Sequence, residues 1–234
     1  MTDVTPRWRQ IADALSTLVA TLPPGTRLPT EAALSVTHSA NRHTVRRAID
    51  SLTRAGLVRT EQGRGSFVAD DVLDYAVAPR TRFSEWVRRH NREPAGQVIQ
   101  LRHMPAPATI AADLGVVSGA TVVLLERVGL ADHVPISLTR HYFDAARFPA
   151  LLDALRKQTT ITAALAAAGV DDYRRLRTRV TARLPTVAEA TLLGTTRARP
   201  VLVCANVNVD ASGRAIESAV ALHPSSRVHL VFEP

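Results

Sequence analysis

Residues 41–68 read NRHTVRRAIDSLTRAGLVRTEQGRGSFV, and this stretch decides the fold of the first part of the chain. From Val45 to Leu52 the apolar residues recur at positions i, i+3, i+4 and i+7, which predicts one buried face of a helix. Gly56 follows where a helix typically ends. Two strand-like runs then flank the glycine-rich segment 62–65. The stretch therefore predicts a helix followed by a β-hairpin.

Two further helices are predicted upstream of this stretch. Apolar residues at helical spacing from Trp8 to Leu22 predict an amphipathic helix, which Pro23–Pro24–Gly25 ends. Thr30 is well placed to cap the short helix that follows it. Three helices and a hairpin in this order predict a winged helix-turn-helix domain over residues 1–69.

The third helix and the hairpin carry a local excess of positive charge. From Arg42 to Arg64 the chain has six arginines but two acidic residues, Asp50 and Glu61. With the apolar stripe turned inward, the basic N-terminal part of the helix points outward, as in a recognition helix. Arginine pairs with guanine edges and with phosphate, and glycine lets a hairpin tip approach DNA closely. The predicted DNA-binding residues are Arg27, Asn41, Arg42, His43, Thr44, Arg46, Arg47, Gln62, Gly63, Arg64 and Gly65.

Residues 25–68 closely resemble the DNA-binding domain of GntR-family transcriptional regulators. The phrases GTRLPTE, NRHTVRRAI and QGRGSFV carry the resemblance. Relatives often have an arginine directly after the glutamate of the Leu-Pro-x-Glu motif, where this chain has Ala32. The resemblance implies that one base contact of the family is missing here and that operator preference differs. By the same resemblance, the family's DNA-contacting positions are Asn41, Arg42, His43, Arg46, Gln62 and Gly63.

Composition narrows the class of protein. The 234 residues are 46% apolar and 21% charged, which is typical of a globular protein with a core. We find no signal peptide and no apolar stretch near the roughly 20 residues that span a bilayer, so we expect a cytoplasmic protein without a membrane partner. Cys204 is the single cysteine, which excludes an internal disulfide. The net charge of +8 fits a nucleic-acid partner, although an arginine-rich composition also follows from a GC-rich genome.

The rest of the chain predicts a second domain of α+β class. The polar segment 70–79 is predicted to be a linker, and residues 80–234 alternate strand and helix patterns. Short turn signals at Asp132–His133 and Asp210–Gly213 join neighbouring strands, which implies an antiparallel sheet. Strands are predicted at 97–102, 121–130, 136–143, 177–184, 201–209 and 215–223, and helices at 83–90, 108–114, 149–157, 161–168 and 187–193.

The second domain lacks the motifs of common enzymes. It has no GxSxG, HExxH, P-loop or GxGxxG sequence, and its histidines lack metal-ligand spacing, so we predict no catalytic residue, metal or cofactor. Arginines within or beside the strands point instead to an anion site, because an inward arginine is costly without an anionic partner. Glu217 is placed to orient them or to bind an amine. These arginines are Arg82, Arg127, Arg140, Arg177, Arg179 and Arg227.

From Arg80 onward the chain resembles the UTRA effector domain of the HutC subfamily, most of all the branch that regulates phosphonate metabolism. The phrases RTRFSE (80–85), RHYFDAARFP (140–149), DYRRLRTRVTARLP (172–185) and VNVD (207–210) carry the resemblance. It implies a sheet domain related to chorismate lyase, a homodimer that binds an inverted repeat in double-stranded operator DNA, and a small anionic effector, a phosphonate or phosphate.

Residue by residue, the resemblance places Ser84, Arg127, Tyr142, Glu217 and Arg227 in the effector pocket. The predicted effector site adds Arg82 and Arg140 to these five. Sugar-phosphate-sensing relatives tend to have Arg-x-Arg where this chain has Arg-Val-Gly at 127–129, and serine where it has arginine at 82. These differences predict a different anion geometry.

The sequence thus predicts a ligand-responsive transcriptional repressor of phosphonate- or phosphate-related genes. Three alternatives stay open. The first is a regulator of the same type that senses an amino-sugar phosphate, a histidine-pathway intermediate or a fatty acid. The second is a lyase-like enzyme, against which the winged helix argues. The third is an architectural DNA-binding protein with a vestigial sensor domain.

Overall fold

The computed structural model describes residues 5–61, 63–69, 72–158 and 160–233. The chain divides into two compact units, Met1–Asp71 and Val72–Pro234. No helix in the described part of the chain is both long and apolar enough to cross a membrane.

The first unit is a three-helix domain with a β-hairpin. Thr30 and Asn41 cap its second and third helices, each accepting a hydrogen bond from a backbone N–H three residues on. The apolar faces of the helices meet in one core, in which Val45 and Ala48 are fully buried. The elements are α1 (Arg7–Thr21), α2 (Glu31–Thr37), α3 (Arg42–Arg54), β1 (Val58–Glu61) and β2 (Gly65–Val68), with β1 and β2 antiparallel.

The second unit is built on a six-stranded antiparallel sheet. Its strand order is β4-β5-β6-β9-β8-β7, so that β4 and β7 are the edges. A separate parallel pair joins β3 to β10. The elements are β3 (Leu73–Ala76), α4 (Phe83–Arg89), β4 (Pro94–Pro105), α5 (Ala108–Leu114), β5 (Thr121–Ala131), β6 (Val134–Asp144), α6 (Leu151–Lys157), α7 (Ile161–Ala167), β7 (Arg174–Arg183), α8 (Val187–Leu192), β8 (Val201–Val209), β9 (Ala215–Pro224) and β10 (Val228–Val231).

The hairpin turns between the central strands lie where the sequence predicts turns. Asp132 and His133 both have positive φ, of 45° and 67°, at the tip of the β5–β6 hairpin. A two-residue hairpin with positive φ at both positions twists in the same sense as its strands. In the β8–β9 hairpin Gly213 supplies the positive φ, of 83°. These two hairpins bring β5, β6, β8 and β9 into one sheet.

The predicted α+β class is confirmed, but the predicted linker over 70–79 needs a correction. Within that segment β3 pairs with β10, so residues 73–76 belong to the second unit. Leu73 is buried there beside Trp86, and the Trp86 indole N–H donates to the Asp74 carbonyl oxygen at 2.9 Å. The segment is therefore held by burial and hydrogen bonds, which its polar composition did not indicate.

Candidate DNA-binding surface and ligand cavity

The exposed face of α3 begins at a well-ordered cap. The Asn41 side-chain oxygen accepts hydrogen bonds from the Thr44 backbone N–H at 2.8 Å and from the Thr44 hydroxyl at 2.9 Å. Arg42 and His43 follow on the first turn, and both side chains are exposed. The sequence prediction placed all four residues on the DNA-binding surface. The structure gives Asn41 and Thr44 a capping role that fixes the start of the helix.

Arg46 is held by Glu31, the glutamate of the Leu-Pro-Thr-Glu motif. Its Nε and Nη2 donate to the two carboxylate oxygens at 3.0 and 2.8 Å, in a bidentate fork. The hydrogen bond from Arg46 holds the pKa of Glu31 below its ordinary value, so the carboxylate stays ionised. A guanidinium has a second bidentate edge, between Nη1 and Nη2. Glu31 therefore fixes Arg46 while leaving that edge available.

Arg47 lies on the same exposed face of α3. Its guanidinium carbon is 4.6 Å from the centroid of the Trp8 ring, so the cation packs against the indole of this α1 residue. Neighbouring helices therefore orient two arginines of α3: Glu31 of α2 holds Arg46, and Trp8 of α1 packs against Arg47. The orientation leaves both arginines exposed.

The wing of the first unit is the hairpin β1–β2. Gly63 and Gly65 have φ angles of 73° and 109°, which residue types other than glycine rarely adopt. A Cβ on Gly65 would lie 3.3 Å from Nε of Arg27, so the arginine packs closely beneath the tip. Arg64 is exposed and donates to the Glu61 carboxylate. Gln62, the remaining predicted wing residue, lies outside the described residues.

A cavity of about 300 Å³ lies on one face of the sheet of the second unit. Its floor consists of alternate residues of three central strands, because successive residues of a strand point to opposite faces. Ala219 and Ala221 of β9 line the middle of the floor, and their small side chains leave the space open. The other floor residues are Ser137, Thr139 and His141 of β6, Glu217 and His223 of β9, and Cys204, Asn206 and Asn208 of β8.

Arg127 of β5 carries a charge with no protein counter-ion. It forms no ion pair or hydrogen bond with any residue that the structure describes, and burial lowers its pKa. Its guanidinium lies over Gly96 of β4, where a Cβ would come within 1.8 Å of Nη2. It also lines an adjoining cavity of about 380 Å³. A half-buried guanidinium without a protein counter-ion is suited to bind an anion.

Glu217 belongs to a buried polar row on the cavity floor. It is 3% exposed, and its two oxygens accept hydrogen bonds from His141 Nδ1 and from the Asn208 amide. Burial on its own raises the pKa of Glu217, but the hydrogen bonds from His141 and Asn208 and the charges of His141 and Arg175 together outweigh burial, so the pKa lies below its ordinary value. Glu217 is thus an ionised acceptor whose oxygens are already engaged by protein donors.

Two further predicted effector residues, Arg82 and Ser84, also line the cavity. Arg82 donates to the Tyr173 carbonyl oxygen, and its guanidinium carbon lies 3.7 Å from the centroid of the Tyr173 ring. This arginine is therefore committed to Tyr173. Ser84 lies in the first turn of α4.

The structure does not bring Arg140 and Tyr142 to the cavity, which corrects the predicted effector site. Both residues alternate along β6 with the floor residues Thr139 and His141, so they point to the opposite face. Arg140 Nε donates to Glu126 at 2.7 Å on that face. Tyr142 is buried in the cluster around α5.

Arg227 is a second correction to the predicted effector site. It is 8% exposed and does not line the cavity. Its guanidinium donates to the carbonyl oxygens of Leu193, Pro135 and Gly194 at 2.7, 2.9 and 2.9 Å. These bonds join the turn before β10 to the C-terminal end of α8 and to the β5–β6 hairpin, so Arg227 has a structural role. Of the other strand arginines, Arg177 and Arg179 are exposed on β7.

Both units match known families. Residues 8–68 match the family of bacterial regulatory proteins named gntR, and residues 89–229 match the UTRA domain. The chain is 34% identical to the uncharacterized HTH-type transcriptional regulator RB1450 of Rhizobium meliloti, over 97% of this chain and 94% of the relative. It is a GntR-family transcriptional regulator with a UTRA domain.

Other GntR regulators agree in sequence and fold. The chain is 30% identical to the probable transcriptional regulator PhnF of Escherichia coli, over 89% of this chain and 87% of that protein. The crystal structure of PhnF from Mycobacterium smegmatis superposes with a TM-score of 0.65 at 24% identity, covering 96% of this chain and 98% of that chain. These relatives are regulators rather than enzymes, which decides against the lyase alternative.

In a GntR regulator of this type the winged-helix unit binds operator DNA and the UTRA domain binds a small-molecule effector. Sequence reasoning missed several residues of the UTRA cavity. Tyr75 was missed because β3 was read as a linker. Arg175 was missed because the strand that became β7 was predicted to begin at residue 177, three residues after its observed start. His141 and Asn208 lay inside the phrases that carried the resemblance, and the alternation of Asn208 with the apolar Val207 and Val209 was the available signal for that strand.

Proposed function

We propose that this regulator is a homodimeric repressor that an anion releases from its operator. The anion is a phosphonate, a phosphate ester or inorganic phosphate, and it binds in the UTRA cavity at Arg127. The observation that carries this proposal is the half-buried Arg127 guanidinium, which has no counter-ion among the described residues. The resemblance of residues 80–234 to the phosphonate-metabolism branch of UTRA regulators supports the same ligand class.

The charges around the cavity favour an anionic ligand. Its lining includes four arginines but two acidic residues, Glu85 and Glu217. His223 adds no charge at neutral pH, because burial lowers its pKa to about 4. The thiol of Cys204 is also neutral, since burial raises its pKa to about 11. The cavity therefore has a net positive charge that an anion neutralises.

Calorimetric titration of the full chain tests the proposed ligand. Inorganic phosphate, methylphosphonate and glucosamine 6-phosphate are added separately at constant ionic strength, with chloride as the reference anion. We expect saturable binding of phosphate or methylphosphonate with one site per chain. Binding of glucosamine 6-phosphate with no response to the other two indicates the amino-sugar alternative. The absence of binding by all three contradicts the proposal.

The release of DNA follows from linkage between the two ligands. An effector shifts an equilibrium only if it binds one state more tightly than the other. The anion must therefore prefer the arrangement that does not bind the operator, and operator binding must weaken anion binding by the same factor. We propose that α3 enters the major groove and that the wing contacts the backbone or the minor groove.

The proposed dimer makes a separate prediction. One winged helix covers one half-site, and two linked heads bind an inverted repeat far more tightly. We expect the 25.3 kDa chain to sediment as a species of about twice that mass. We also expect the full inverted repeat to bind much more tightly than a DNA in which one half-site is scrambled. A monomer that binds both DNAs equally would contradict the dimer.

A further inference from the structure

Arg175 is a second cavity arginine with unsatisfied donors. It lies near the start of the edge strand β7, opposite Asn208 of β8. Its Nη2 donates to the Tyr75 hydroxyl oxygen at 2.7 Å. Its Nε and Nη1 are buried and have no hydrogen-bond partner among the residues that the structure describes. Two of its three nitrogens are thus left without a protein acceptor.

The missing partner of Arg175 has the chemistry of an anionic oxygen. Buried N–H groups in folded proteins nearly always have a partner, and a guanidinium keeps its charge at all relevant pH values. Glu217 is the nearest candidate by charge, because Arg175 contributes to the lowered pKa of that carboxyl group. However, the Glu217 oxygens already accept from His141 and Asn208. A bound molecule is left to supply the acceptor.

Arg127 and Arg175 lie towards opposite ends of the cavity. In the sheet order, β5 and β7 are separated by β6, β9 and β8. Four strand spacings of about 4.8 Å separate the two Cα atoms by roughly 19 Å in a flat sheet, and curvature shortens this distance. The Arg127 guanidinium also extends over Gly96 of β4, away from β7. A single small tetrahedral anion therefore cannot contact both guanidinium groups.

The floor between the two arginines suits an extended chain. Thr139 and Asn206 offer a hydroxyl and an amide, whereas Ala219 and Ala221 leave room above β9. The ionised Glu217 on the same floor is already engaged by two protein donors. A molecule that lies along this floor therefore passes mostly neutral groups and meets an arginine at each end.

We propose that the cavity takes a ligand with two separated anionic groups, one bound by Arg127 and the other by Arg175. An ω-phosphonocarboxylic acid is the simplest molecule of this class, with its phosphonate at Arg127 and its carboxylate at Arg175. This inference rests on the proposed function, which assigns an anion to Arg127. It adds a second acidic group to the ligand and a second arginine to the site.

The test compares ligands with one and two anionic groups. The full chain is titrated by calorimetry with methylphosphonate, 4-phosphonobutyrate, 8-phosphonooctanoate and 10-phosphonodecanoate, because the ligand must be long enough to reach both guanidinium groups. We expect at least one of the three longer acids to bind about tenfold or more tightly than methylphosphonate, as a charge-assisted contact provides. Arg175→Met should abolish that gain and leave methylphosphonate affinity within about twofold. Arg174→Met, on the exposed neighbour, should retain the gain.

The outcomes separate this inference from the proposed function. If methylphosphonate binds wild type and none of the three longer acids binds more tightly, the two-ended ligand is wrong and the proposed function stands. A gain that persists in Arg175→Met overturns the inference in the same way. If no phosphorus compound binds wild type, both are wrong. If circular dichroism shows that Arg175→Met is unfolded, Arg175→Lys replaces it and must reduce the gain, since one ammonium does not reproduce two fixed N–H donors.

Discussion

Replacing Arg127 by alanine is expected to lower the affinity for the phosphate-type anion by about ten- to a hundred-fold. The substitution removes a charge-assisted hydrogen bond made in a half-buried site, where water screens the interaction less than at the surface. Arg127 lies in the UTRA unit, so operator affinity without ligand should stay near that of wild type. Calorimetry with the anion and fluorescence anisotropy with labelled operator measure the two quantities.

Two variants sharpen the Arg127 prediction. Gly96→Ala keeps the charge but places a Cβ 1.8 Å from the present position of Nη2, so the guanidinium must move. We expect it to weaken anion binding in the same direction. Arg179→Ala removes an exposed arginine of the same unit outside the cavity and should leave affinity unchanged. Equal anion affinity in wild type and Arg127→Ala would show that Arg127 does not belong to the anion site.

The second large effect is expected at Arg46. The fork to Glu31 uses Nε and Nη2, so the edge between Nη1 and Nη2 remains available for the two acceptors of a guanine. If Arg46 reads a base in this way, Arg46→Ala should lower affinity for the specific operator by about five- to a hundred-fold. Affinity for unrelated DNA should fall much less. Anisotropy titrations with operator and with scrambled DNA measure the difference.

Substitutions of two other arginines, Arg64 and Arg54, are the controls for the effect of Arg46→Ala on DNA affinity. Arg64, at the wing, is expected to contact phosphate. Arg64→Ala should therefore weaken binding to all DNAs similarly and reduce the slope of log affinity against log salt concentration by about one. Arg54 is exposed at the other end of α3, and its replacement should change little. If Arg46→Ala binds the operator as wild type does, the assignment of α3 as the reading helix is wrong.

The fold was largely predictable because its elements follow local rules. The stripe from Val45 to Leu52 and the terminating Gly56 predicted α3, and turn residues such as Asp132–His133 marked the hairpins. Strand β3 was missed because four residues between polar neighbours give no periodic signal. That strand depends on pairing with β10, which follows it by some 150 residues along the chain. Such a contact is not encoded locally.

The cavity was less predictable because a strand has two faces. Four of the seven predicted effector residues line the cavity: Arg82, Ser84, Arg127 and Glu217. Arg140 and Tyr142 lie one residue from lining positions on β6, and a shift of one residue turns a side chain to the opposite face. Arg227 looked like a ligand-binding arginine, yet backbone carbonyl oxygens satisfy it. Only the three-dimensional structure distinguishes such an arginine from one whose partner is absent.

The most direct test of the central claim is a titration of the protein–operator complex with the anion. The claim is that an anion bound at Arg127 of the UTRA unit releases operator from the winged-helix unit. Labelled operator is bound by wild type or by Arg127→Ala, and methylphosphonate or phosphate is added at constant ionic strength. The account predicts that the anion dissociates wild type at concentrations at which Arg127→Ala stays bound. Equal release of both proteins, or no release of a wild type that calorimetry shows to be saturated, would contradict it.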